Sequence, residues 1–203
     1  LAFELSNYYL GERELKMKKI FKSFLSAYFN PLLDLRVRLF HVLALGGTGI
    51  SLFVLILGIA NNSGFVNNIF ALISSIISTT LLIYSRRTGN YRFCYLMTIL
   101  IIFLIIFPGA FFSAGGYHSG MPAFFVFAVA FTIFMIEGKI AILLSVVEMV
   151  IYIGVCLIAY WFPDTVNAFS NEAAILIDII IGFTTVSIVL GVCMYLHFKM
   201  YNE

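Results

Sequence analysis

The chain has 203 residues, of which 62% are hydrophobic and only 11% charged, with a net charge of +2. A soluble domain carries about 25% charged residues, so this composition, with mean hydropathy +1.05, describes an integral membrane protein. The charge is too small to suggest nucleic acid as a partner; the lipid bilayer is the first partner the composition implies. No positively charged start followed by a short apolar core and a small-residue cleavage site marks a removable signal peptide.

Leu1 to Gly11 carry little information. Residues 12–29, ERELKMKKIFKSFLSAYF, place Met17, Ile20, Phe21, Phe24, Leu25 and Tyr28 at helical spacing, with Lys16, Lys18, Lys19 and Lys22 on the other side. This is the pattern of an amphipathic helix lying on an anionic membrane surface; a partner-binding helix would look the same. Asn30-Pro31 ends it. The expected division is therefore an interfacial segment, 1–34, and a six-helix membrane domain, 35–203.

Six apolar runs follow, at 37–60, 65–85, 92–112, 122–136, 139–161 and 173–198. Five reach the roughly 20 residues that a helix needs to cross the hydrocarbon. The fourth, PAFFVFAVAFTIFMI, rises only ~22 Å against a ~30 Å core. Either the bilayer thins there, or the preceding loop lies below the outer surface and must be shielded by protein. The expected fold is an all-α polytopic membrane protein with both termini cytoplasmic. Six crossings from a cytoplasmic N-terminus put all 12 Lys and Arg inside and none in the three outside loops, in agreement with the positive-inside rule.

The helices carry packing signals. Gly46, Gly47, Gly49 and Ser51 make one side of the first helix small, and Ala71, Ser74, Ser75, Ser78 and Thr79 do the same for the second. Small residues let membrane helices approach closely. Pro108 is expected to end or kink the third helix. Cys94, Cys156 and Cys193 fall inside apolar runs and read as packing residues.

Between the third and fourth runs lies PGAFFSAGGYHSGMP, Pro108 to Pro122, with Gly109, Gly115, Gly116 and Gly120 and a proline at each end. No continuous helix is expected across it. Glycine permits tight turns and aromatic residues supply contact area, so Gly116, Tyr117 and His118 are candidate ligand contacts; a tight interhelical turn is the plainer alternative. Trp161 at the outer interface and Asp178, five residues into the sixth run, join that candidate set.

Two carboxylates lie inside the apolar runs. Glu148 is about nine residues past Lys139, ~13 Å deep. It shares a helix face with Ser145, Tyr152 and Cys156; Asp178 shares another with Gly182 and Thr185. Intramembrane acids face the bundle interior or water. Glu148 is expected to bond Tyr152 or a serine stripe opposite, as a structural partner or as part of a gating or ligand site. The two acids differ in depth by ~12 Å, too far for a catalytic dyad, so no residue is assigned a catalytic role. His41, His118 and His197 lie at different depths and do not make one metal site. No P-loop, GxSxG or HExxH motif is present. Neither a metal nor a cofactor is expected.

The run AGGYHSGMPAFFVFAVAFTIFMIEGK, Ala114 to Lys139, followed by Glu148 and Tyr152, resembles the six-helix N-terminal membrane modules of bacterial sensor histidine kinases and of related diguanylate-cyclase receptors. The likeness covers the third to sixth helices and hardly touches the N-terminal quarter. It implies a signal receptor of the bacterial inner membrane that binds a small extracytoplasmic or membrane-borne ligand. It also implies homodimerisation in the full-length protein, and a last helix that runs on to a cytoplasmic kinase or cyclase domain beyond Glu203. The alternative is the substrate-binding subunit of a transporter, similar to the vitamin-binding S-components, which also have six helices and both termini inside. The length of the gene beyond Glu203 separates the two.

Overall fold

A computed structural model describes residue 19 and residues 33–60, 65–169 and 171–201. The expected amphipathic helix at 12–29 lies outside these residues except for Lys19. All regular structure among the described residues is helical: α1 (Leu35–Ala60), α2 (Phe65–Thr88), α3 (Tyr91–Ser113), α4 (Met121–Met135), α5 (Lys139–Trp161) and α6 (Glu172–Tyr201). Five of these are long and apolar enough to cross a membrane, and α4, with 15 residues, is the short one. The outer surface is correspondingly oily: Ile56, Ile142 and Phe183 are each about two-thirds exposed. An apolar surface this extensive suits acyl chains and not water, and the chain is a multi-pass helical membrane protein.

Small residues set how the helices pack. A side-chain carbon at Gly47 of α1 would lie 3.6 Å from Ser78 Oγ of α2, and one at Gly46 would lie 3.5 Å from Val189 of α6. The two small-residue stripes of the sequence thus meet at Gly47 and Ser78, and adjacent glycines set α1 against both α2 and α6. The core beneath them is built from Leu39, Phe40, Leu43, Leu81, Ile99, Phe103, Phe131 and Met135. Against it lies a partly open pocket of about 90 Å³ lined by Phe and aliphatic side chains together with Gly47 and Ser78.

Helix α3 is irregular. Its middle, Thr98–Ile106, is π-helical, closing with the Phe107 N–H on the Ile102 carbonyl. Helical bonding continues past Pro108 to Ser113, so Pro108 does not end the helix. The wider turns just before it relax the crowding that a proline ring imposes on the preceding turn. A column of aromatic rings runs from this helix into α4 and α5. Phe103 meets Phe131 edge-on at 5.2 Å, Phe107 meets Phe125 at 5.9 Å, and Phe125 lies 5.0 Å from Tyr152. Such pairs add to the area that they bury.

The described basic residues beyond Lys19 all sit at one end of the helices: Arg36 and Arg38 at the start of α1, Arg86 and Arg87 at the end of α2, Arg92 and Lys139 at the starts of α3 and α5, and Lys199 near the end of α6. Arg36 pairs there with Glu137 of the turn between α4 and α5. The glycine loop and the connection from α5 to α6 close the opposite end.

Candidate functional site

The glycine loop is closed, not open. Gly115 and Gly116 have φ of +88° and +63°, conformations that a side chain makes costly. A side-chain carbon at Gly115 would strike the Phe169 ring, and one at Gly116 would lie 3.1 Å from Val166. The Asn167 N–H donates to the Phe112 carbonyl at 2.8 Å, so the α5–α6 connection is folded down over the loop. Ser119 fixes the exit: its hydroxyl donates to the Gly116 carbonyl at 2.5 Å and accepts from the Met121 N–H at 3.1 Å.

Gly120 then rests directly on α6. Its N–H donates to Asp178 Oδ2 at 2.7 Å, and a side-chain carbon on Gly182 would lie 2.7 Å from its Cα. Gly120 precedes the first turn of α4, where backbone N–H groups have no helical partners and the helix dipole favours negative charge. Asp178 therefore caps the short helix from a neighbouring one. A carboxylate, two glycines and no intervening side chain make a clamp between the loop and α6.

Below the clamp, α4, α5 and α6 diverge to leave a groove of about 710 Å³ open on the lipid-facing side. Its upper rim is Ser119 and Gly120. Its walls are apolar, among them Val126, Val129 and Ile133 of α4, Met149 of α5, and Ile179 and Phe183 of α6. Two polar side chains from α5 join them, Glu148 and Tyr152. Glu148 is only 2% exposed. Its Oε1 accepts from the Thr132 hydroxyl of α4 at 2.6 Å, while its Oε2 is buried with no hydrogen-bond partner. One turn back along α5, Ser145 Oγ is in the same condition.

The sequence candidates separate accordingly. Glu148 and Tyr152 line one groove, and Asp178 holds its rim through Gly120. Gly116 is buried inside the loop as a turn residue. Tyr117 and His118 are exposed on the loop's tip, their rings tilted against each other with centroids 4.4 Å apart, and Trp161 is exposed at the end of α5; none of the three lines the groove. Thr132 was not a sequence candidate. Its one signal was position, as the sole hydroxyl in an otherwise apolar and aromatic fourth run. Among the described residues no group of three or more His, Cys, Asp or Glu side chains is placed to hold a metal. Compared with protein-family models, curated proteins and solved structures, the chain has no match.

Proposed function

We propose that this chain is the membrane-embedded receptor module of a bacterial signalling protein of the sensor-kinase or cyclase-receptor type. It crosses the inner membrane six times, with the basic end of the bundle in the cytoplasm, as the positive-inside rule orients it. The observation that carries the reading is the clamp. The loop at the non-basic end touches α6 backbone to backbone at Gly120 and Gly182 and is hydrogen-bonded to it through Asp178. From that contact α6, a helix of 30 residues, runs unbroken to the basic end.

A stiff helix gripped at one end transmits a shift or rotation to the other, and receptor helices move by ~1–2 Å in such transitions. A ligand acts on that equilibrium only through its different affinity for the two positions of α6. Residues 1–203, fused in register to a dimeric kinase core, test this. Asp178→Asn weakens the clamp and is expected to shift the ligand-free output. One residue inserted after Tyr195 rotates the exit by about 100° and is expected to scramble it. Output indifferent to both changes refutes transmission through α6.

A further inference from the structure

The groove between α4, α5 and α6 has a feature that packing does not explain. A carboxyl oxygen left buried and unpaired is costly, and Glu148 Oε2 is one. Thr132 satisfies the other oxygen, so the side chain is held in place with half of its bonding capacity unused. The groove that it lines lies within the ~300–1,000 Å³ range of small-molecule sites. Its mouth is bordered by exposed Val126, Ile133, Met149 and Phe183, side chains that face acyl chains.

We propose that this groove is a binding site for a membrane-dissolved amphiphile with a hydrocarbon body and a single hydroxyl group, which enters sideways from the bilayer and hydrogen-bonds Glu148 Oε2. The walls select the hydrocarbon, because they offer almost nothing polar. The head group follows from donor and acceptor counting. A hydroxyl both donates and accepts, so it complements a carboxyl in either protonation state. An ammonium brings three donors to a wall whose polar side chains are Glu148, with one unused carboxyl oxygen, and Tyr152. The Ser119 hydroxyl is already committed within the loop. The site adjoins the clamp, since Ile179 and Phe183 line the groove on either side of Gly182 along α6. The binding site stands by itself; only its signalling consequence rests on the receptor reading.

The test uses the whole chain reconstituted in phosphatidylcholine vesicles. The probes are a long-chain alcohol with a photoreactive diazirine in its chain and the matching hydrocarbon without the hydroxyl. The alcohol is expected to label Val126, Met149 and Phe183 about tenfold more than the hydrocarbon does, the effect of one good hydrogen bond. At the lipid-facing Ile142 both probes are expected to label alike. Glu148→Leu should remove the preference. Ala130→Trp fills the groove and leaves the Thr132–Glu148 bond in place, so it should do the same and carries the test if Glu148→Leu fails to fold. Equal labelling by the two probes, or a preference that survives Ala130→Trp, overturns the proposal. Selective labelling beside a silent kinase fusion keeps the site and removes the receptor reading. A fusion that responds to Asp178→Asn without selective labelling keeps the receptor and removes the site.

Discussion

Gly182→Ala tests the clamp most directly. The added carbon would meet three backbone atoms of Gly120: Cα at 2.7 Å, O at 3.0 Å and C at 3.2 Å. Backbone cannot rotate aside as a side chain can. Carbon atoms rest at ~3.5–4.0 Å, so α6 and the loop must part by about 1 Å. That stretches the Gly120 N–H bond to Asp178 from 2.7 Å to about 3.7 Å, beyond the ~3.2 Å limit of a useful bond. Overpacking costs about 1–3 kcal/mol and the lost bond about 1 kcal/mol. The better helix propensity of alanine returns up to ~1 kcal/mol. The net is a loss of about 1–3 kcal/mol, and a midpoint of ~2 kcal/mol corresponds to roughly 30-fold in local opening.

Hydrogen exchange at the Gly120 amide reads that opening, and denaturant unfolding of the reconstituted protein reads the global loss. Gly191→Ala on the same helix is the matched control, because a side-chain carbon there meets nothing within 4 Å. It keeps the propensity gain without the clash and is expected to be neutral or slightly stabilising. If the two variants unfold alike and the Gly120 amide exchanges at its original rate, the account of the clamp is wrong.

Three further outcomes are expected. Thr132→Val removes the donor to Glu148 Oε1 and leaves both carboxyl oxygens buried without partners, so it should destabilise by about 1–3 kcal/mol, with Thr132→Ser recovering most of the loss in the same unfolding assay. Tyr117→Ala and His118→Ala change exposed side chains and should stay within about 0.5 kcal/mol of the parent; a larger loss would place the loop tip in the packed structure. In intact cells, an impermeant thiol reagent should reach a cysteine at the exposed Asn167 and miss one at the exposed Thr88. The reverse pattern would invert the orientation proposed for the bundle.

The membrane class, the run of six apolar helices and the short α4 were legible because each depends on the amount of apolar sequence and on where Gly, Pro and charge interrupt it. The glycine loop was legible as a break for the same reason, and Gly115 and Gly116 do take left-handed backbone. The partners were not legible. Glu148 was expected to meet Tyr152 or a serine stripe, and it meets Thr132. Helices that are apolar all round have no amphipathic face to show how they are rotated, so the sequence cannot tell which of several hydroxyls a carboxylate will face. The contact of Gly120 on Gly182 depends on the relative height of two helices to within a residue, which periodicity does not encode. The groove was not legible for a related reason. Its lining comes from three helices, whereas the punctuation that drew attention to the site lies in the loop above it.

The π-helical middle of α3 bears on which changes of chain length the protein tolerates. Each i→i+5 ring holds one residue more than an α-helical ring, so Thr98–Ile106 carries slack in its residue count. Deleting one residue at its exposed side, such as Ile105, would let the stretch close up into ordinary α-helix, with Tyr91–Met97 and Phe107–Ser113 keeping their facings. The same deletion in α5 or α6, whose bonding is α-helical throughout, would turn every later side chain by about 100°. Single-residue deletions should therefore be absorbed in the middle of α3 and rejected in α5 and α6.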